Sequence, residues 1–316
     1  MKSYFVTGGA GFVGSHLCEE IFFSNKSSRL IILDKLTYAG NRSFLTNIIN
    51  SPRVKFIKGD ILDFKIYKDH LRNIDVAINV AAESHVDNSF SSPIEFTKNN
   101  TLGAHIFLQN CITNNVKKIV QVSSDEVYGE KISGQNFEND RLHPTNPYSA
   151  SKAAAEMIIN SYRYSYKKEI IIVRGNNIYG PRQYPEKLIS SSIINLINNR
   201  PIKLHGNGMN KRHYISVIDF AKALILLLSK TSAGIYNIGT KDEYTNIDVA
   251  RMICDYFDKP YKKFITFTKD RPYNDKRYSV CSKKIRDLGW RPEGNLERSL
   301  PYIISWYKNN NKIFKK

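Results

Sequence analysis

The chain has 316 residues, 41% of them hydrophobic, an ordinary content for a globular protein with one large core or two smaller ones. Its formal charge of +18 raises nucleic acid as a partner, but the lysines are dispersed apart from a mild cluster at residues 308–316. No zinc-finger or RNA-recognition signature accompanies them and no run approaches the roughly eighteen apolar residues of a membrane span, so no nucleic acid and no membrane is expected as a partner.

The start, Met1-Lys2-Ser3-Tyr4-Phe5-Val6, enters a strand pattern without signal-peptide architecture, which reads as a soluble cytoplasmic protein. Four cysteines, Cys18, Cys111, Cys254 and Cys281, form no Cys-x-x-Cys pair, so neither a metal site nor a disulfide framework is expected. Cys18 and Cys111 fall in helical patterns as small core residues.

Ser3 to Thr7 is predicted as a short strand, and Gly8, Gly11 and Gly14 then open a helix over Phe12 to Phe23. Missing side chains let backbone approach a pyrophosphate, and the helix N-terminus offers free N–H groups and positive dipole. A second strand, Arg29 to Leu33, ends in Asp34, twenty residues beyond Gly14. There a carboxylate hydrogen-bonds a ribose 2′-hydroxyl and repels a 2′-phosphate, which favours NAD over NADP, with Lys35 next door as the opposing feature. Further strands at Val54 to Ile57 and Asp75 to Val80 end in Asp60-Ile61 and Ala81-Ala82, small enough at the latter for a cofactor to cross the sheet ends. His85 follows, either a loop histidine or a substrate contact, and then a long helix from Phe96 to Asn114. This alternation implies an α/β fold, a Rossmann-type doubly wound parallel sheet.

The chemistry gathers at the next strand end. The apolar run Lys118 to Val122 leads into Ser124-Asp125-Glu126, two carboxylates after a hydroxyl. Past Pro147 a helix begins in which Tyr148 and Lys152, four apart, share one face. A lysine cation beside a phenol favours the phenolate, a usable base. Adjacent carboxylates raise each other's proton affinity, so Asp125 is expected to stay protonated enough to act as an acid.

Glu169 to Arg174 is a sixth strand. Tyr184 to Ile189 opens a helix, and the segment Arg212 to Val217 with the helix Asp219 to Leu228 is expected to return to the first domain. A strand at Ile235 to Gly239, a helix at Asn246 to Phe257, a polar loop at Asp270 to Arg277 and a last helix ending near Trp306 complete the chain. The expected division is 1–174 plus about 212–240 for NAD, and about 175–211 plus 241–316 as a smaller α/β substrate-binding lobe.

Taken together, Thr7-Gly-Gly-Ala-Gly-Phe-Val-Gly14, Asp34-Lys-Leu-Thr-Tyr-Ala-Gly-Asn41, Ala81-Ala-Glu-Ser-His-Val-Asp87, Ser124-Asp-Glu-Val-Tyr-Gly129, Pro147-Tyr-Ser-Ala-Ser-Lys152, Tyr184-Pro-Glu-Lys-Leu-Ile189 and Tyr236-Asn-Ile-Gly239 resemble the nucleotide-sugar 4,6-dehydratases of the extended short-chain dehydrogenase/reductases. The resemblance spans nearly the whole chain, and the Asp-Glu pair is its most specific part. It implies a homodimeric hydro-lyase acting on dTDP-glucose or UDP-glucose, with catalytic residues Ser124, Asp125, Glu126, Tyr148 and Lys152. The implied NAD contacts are Gly8, Gly11, Phe12, Val13, Gly14, Asp34, Lys35, Asp60, Ile61, Ala81 and Ala82, with Tyr148 and Lys152. Substrate contacts are implied at His85, Asn177, Lys187, Leu188, Lys203, His205, Arg212 and Asn246, and in the loop at Asp270, Arg271 and Asn274. Two departures stand out. Ser124 replaces the threonine usual in bacterial dTDP enzymes, and Tyr273-Asn274 replaces their Gly-His, more like the UDP-glucose enzymes and eukaryotic-type relatives.

A UDP-sugar epimerase or decarboxylase shares fold, cofactor and the Tyr148/Lys152 pair, but is disfavoured by Asp125-Glu126. A non-enzymatic dinucleotide sensor or RNA-binding relative is favoured by the +18 charge alone. For the homodimer, the resemblance implies that the helices Phe96 to Asn114 and Tyr148 to Tyr166 pack on a partner copy, with Phe107, Leu108, Cys111, Met157 and Ile158 as candidate buried positions, some of which must instead face the sheet.

Overall fold

The computed structural model describes residues 2–231 and 233–314, so Lys315 and Lys316 of the basic cluster lie outside the described residues. Its strands are β1 (Ser3–Thr7), β2 (Arg29–Asp34), β3 (Val54–Lys58), β4 (Val76–Asn79), β5 (Lys118–Ser124), β6 (Glu169–Gly175), β7 (Asn177–Tyr179), β8 (Ile202–His205), β9 (Lys211–Ser216), β10 (Gly234–Ile238), β11 (Glu243–Thr245) and β12 (Ile265–Thr268). The main sheet runs β10-β6-β5-β4-β1-β2-β3 with every neighbour parallel. Chain order reverses between β1 and β4, which opens a crevice at their carboxyl ends.

Both faces of the sheet are covered, so its inner strands carry near-continuous apolar runs, while edge strand β3 exposes Lys55 and Lys58. In β6, Ile170 and Ile172 enter one core while Ile171 and Val173 enter the opposite one, following the two-residue period of a strand. The longer helices are α1 (Phe12–Ser24), α2 (Gly103–Thr113), α3 (Pro147–Tyr166), α4 (Leu188–Ile197), α5 (Val217–Lys230), α6 (Asn246–Tyr256) and α7 (Leu296–Asn310). Leu17 and Ile21 of α1 pack with Phe220, Leu224 and Leu227 of α5 on one face. Phe107, Leu108 and Cys111 of α2 with Ile159 of α3 cover the other. A separate core of Ile193, Ile202, Leu204, Val249, Ile253, Leu300 and Tyr307 joins α4, α6 and α7 to the small sheets β11-β9-β7 and β12-β8.

Two expectations change. The segment from Arg212 does not return to the main sheet: β9 pairs with β7 and β11, and the return is made by α5 and β10. The helix expected over Phe96–Asn114 carries a π-helical stretch at Thr97–Leu102 before α2. Its buried Asn100 bonds both backbone groups of Glu83 and the Ser151 hydroxyl, at 2.8 to 2.9 Å, so the wider turn fixes the loop after β4. Of the candidate buried positions on the two helices, Phe107, Leu108 and Cys111 are the ones that face the sheet, while Met157 is exposed in the single chain. Among the described residues no helix is long and apolar enough to cross a membrane.

Candidate active site

A cleft of about 610 Å³ runs from the glycine turn across the sheet ends to the smaller lobe. Its cofactor end is made of backbone. Gly8 has φ +67°, and a Cβ there would sit 2.7 Å from the Ala81 backbone; one on Gly14 would sit 2.0 Å from the Gly8 carbonyl. The glycines therefore let the turn close on β4's loop and on α1. No side chain caps the α1 N-terminus and no acid lies in its first turn, which suits an anionic pyrophosphate.

Asp34 is nearly buried at the end of β2, and its two oxygens accept from Ala10 N and Leu36 N, each at 2.8 Å. Burial raises its pKa despite those bonds. Lys35 forms an ion pair with Asp60 at 2.7 Å, which spends its charge on that carboxylate. Gly8, Gly11, Phe12, Val13, Gly14, Asp34, Lys35, Asp60, Ile61, Ala81 and Ala82 all line this end of the cleft. These residues fit an adenine dinucleotide: a glycine cradle, an uncapped helix start and a carboxylate at the next strand end.

At the centre, β5 delivers Ser124 and the 3-10 turn Asp125–Tyr128, while α3 delivers Tyr148 and Lys152. The α3 start is fixed by a capping box between Asn146 and Ser149. Lys152, 4% exposed, donates to the Val122 carbonyl at 2.7 Å, and burial pushes its pKa down to about 8. The expectation that Lys152 lowers the Tyr148 phenol is corrected here. Burial, with the charges of Glu126 and Asp125, holds that phenol well above its usual value, and the Ser124 hydroxyl opposes the shift without overcoming it.

The two carboxylates live differently. Asp125 is buried and accepts from Asn176 Nδ2 at 2.7 Å; burial first, then Glu126's charge, pushes its pKa up to about 7. Glu126 is only partly buried, with longer contacts to Asn146 Nδ2 at 3.3 Å and Tyr278 Oη at 3.5 Å. One neighbour is thus suited to carry a proton near neutral pH and the other to receive one.

At the substrate end, His85, Asn177, Lys187, Leu188, Lys203, His205, Arg212, Asn246, Arg271 and Asn274 line the cleft. Asp270 does not: its carboxylate accepts from Asn274 Nδ2 at 2.8 Å and from Arg271 N at 2.9 Å, bracing their loop. Three of the cations here, Arg271, Arg212 and Lys187, already have partners. Arg271 forms a two-toothed pair with Asp87, which also meets His85 and His205 at 3.4 Å each. Arg212 reaches Asn274 Oδ1 at 3.3 Å, and Lys187 donates to the Ser84 carbonyl.

Sequence reading missed Asn176, Asn146, Asp87, Asp275 and Tyr278, and the buried Arg174–Glu156 ion pair beneath the turn. The pair carried one signal, an arginine following the apolar run Ile170 to Val173 and a glutamate one turn past Lys152. Gly239 carried another: a Cβ there would sit 2.2 Å from Asn176 Oδ1, so this glycine makes room for the side chain that holds Asp125.

Comparison with known proteins gives a consistent picture. The family described as GDP-mannose 4,6 dehydratase matches residues 5–301. A trifunctional UDP-glucose 4,6-dehydratase/3,5-epimerase/reductase of Arabidopsis thaliana is 42% identical over 98% of the chain, which spans only 47% of that relative. The chain thus covers about half the length of that multifunctional protein. The dTDP-D-glucose 4,6-dehydratase of Dictyostelium discoideum is 39% identical over 98% of the chain and 82% of its own length. Among solved structures, the dTDP-glucose 4,6-dehydratase of Streptomyces venezuelae, with NAD bound, superposes with a TM-score of 0.96 at 36% identity, covering 99% of each chain.

Proposed function

The chain belongs to the GDP-mannose 4,6 dehydratase family, nucleotide-sugar 4,6-dehydratases of the extended short-chain dehydrogenase/reductase superfamily, and on that premise we propose that it converts dTDP-glucose or UDP-glucose to the 4-keto-6-deoxy nucleotide. NAD is the cofactor; it supplies an acceptor for the C4 hydride and returns that hydride to C6. Loss of water across C5 and C6 needs an acidic C5 hydrogen, which a C4 ketone provides. In our assignment Tyr148, beside Ser124, would receive the O4 proton as a phenolate, a form that the positive charge of oxidised NAD would favour against the burial and carboxylates that raise the phenol, and Lys152 anchors the helix that carries it. Glu126 removes the C5 proton, and Asp125 protonates the departing O6.

The observation that carries this reading is Asp125, buried and pushed up to about 7 beside a glutamate with only long contacts. An epimerase has no use for such an acid–base pair. Arg212, Arg271 and Lys187 supply positive charge for a diphosphate. Asp34, with Lys35 held by Asp60, supports NAD over NADP.

Substituting Glu126→Gln tests the assignment. The variant should bind NAD and the glucose nucleotide, oxidise C4 and accumulate bound NADH, yet exchange almost no C5 hydrogen with deuterated solvent. Tyr148→Phe should form neither NADH nor product. Near-native dehydration by Glu126→Gln would leave the epimerase or decarboxylase reading the better one. Rates on dTDP-glucose and UDP-glucose measured side by side assign the base.

We also infer a homodimer and a cytoplasmic location. Ile94, Leu102, Met157 and Tyr164 form exposed apolar positions about α2 and α3, and all four cysteines are free thiols. Light scattering at micromolar concentration tests the dimer, and a monomer there would contradict it.

A further inference from the structure

Beneath Glu126 lies a second carboxylate that the reaction above leaves unused. Asp275 is 2% exposed, and its Oδ2 accepts two hydroxyl donors, Tyr278 at 2.5 Å and Thr145 at 2.6 Å. Tyr278, 4% exposed, has its ring under the Arg212 guanidinium at 4.5 Å, which fixes the direction of its hydroxyl. The same phenol oxygen stands 3.5 Å from Glu126 Oε2.

A phenol has one hydrogen to give. Two carboxylates compete for it, and the distances place it on Asp275. Had it gone to Glu126, that carboxylate would accept a charge-assisted hydrogen bond and lose basicity. We propose that Asp275 is a positioning residue for the elimination step: it holds the Tyr278 hydroxyl hydrogen and so withholds it from Glu126, leaving the Glu126 carboxylate free to take the C5 proton. The inference rests on the assignment of Glu126 as the C5 base. Burial and the surrounding carboxylates keep the phenol protonated far above its usual range, in line with its role as a donor.

Asp275→Asn preserves shape and removes the charge. A neutral amide oxygen competes poorly with a carboxylate, so the phenol hydrogen turns toward Glu126. With a glucose nucleotide in deuterated water, this variant should still form bound NADH, at no less than the wild-type level, which also reports that it folds. Its deuterium incorporation at C5 should fall about tenfold, the size expected when a charged acceptor gains a hydrogen bond. Tyr278→Phe, with no hydrogen to misplace, should lose less than Asp275→Asn. The double variant should recover to the level of Tyr278→Phe, a rescue that a purely structural role for Asp275 does not produce. A double variant no faster than Asp275→Asn overturns the proposal, as does Tyr278→Phe more impaired than Asp275→Asn. Glu126→Gln separates the two kinds of failure. If it dehydrates at near-native rate, the base assignment falls and this proposal with it. If it stalls while Asp275→Asn is unimpaired, only the part given to Asp275 falls.

Discussion

The two ends of the cleft are built from different material. At the cofactor end Gly14 meets Gly8 backbone to backbone, and Asp34 is locked by two main-chain N–H groups. Across the cleft the surface is made largely of long side chains already engaged with neighbours: Arg271 with Asp87, Arg212 with Asn274, Lys187 with the Ser84 carbonyl. Backbone contacts have few alternatives, so the first end is rigid and preorganised. Flexible cations held by partners must exchange those partners for an incoming diphosphate, so the second end adapts on binding.

The largest effect should come from breaking the rigid end. Gly14→Ala places a Cβ 2.0 Å from the Gly8 carbonyl, where only backbone can give way. Such overpacking costs about 3 kcal/mol or more, and calorimetric titration should find no NAD binding at concentrations that saturate the wild type. Retained binding would mean the turn is softer than its geometry says.

An intermediate effect should come from the adaptable end. Arg271→Ala should weaken glucose-nucleotide binding about tenfold to a hundredfold, the worth of a charge-assisted contact to phosphate. NAD affinity, measured separately, should stay within about twofold. A parallel loss of NAD affinity would erase the distinction between the ends.

The smallest effect concerns the centre, where the ends meet. Asp125's folded pKa, about 7, lies above its ordinary 3.8. Between those values the folded state binds more protons than the unfolded one, so this residue's contribution to stability falls as pH rises and is lost above about 7. Asp125→Asn removes that dependence, and its melting temperature relative to wild type should rise by a few degrees between pH 4 and pH 8. In the wild type, the elimination rate should fall as pH rises through about 7, because the acid form is consumed. A pH-independent difference in melting would show that Asp125 is ionised throughout.

The sequence by itself determined the strand, glycine turn and helix that open the cofactor half, and the strand–helix alternation of a parallel, doubly wound sheet. A strand, a glycine turn and a helix lie within two dozen residues, and the spacing of Gly8, Gly11 and Gly14 or of Tyr148 and Lys152 acts over one or two turns of chain. Local sterics and helical periodicity are enough to read such features. Tertiary structure alone decided what surrounds the reacting groups. Asn176 reaches Asp125 across 51 residues, Tyr278 reaches Glu126 across 152, and Arg271 reaches Asp87 across 184. It also decided that Lys152 spends its ammonium on the Val122 carbonyl rather than on the phenol one turn away. Burial and the meeting of strand ends set which carboxylate keeps a proton and which cation is already paired, and those depend on how the crossovers pack rather than on any spacing along the chain.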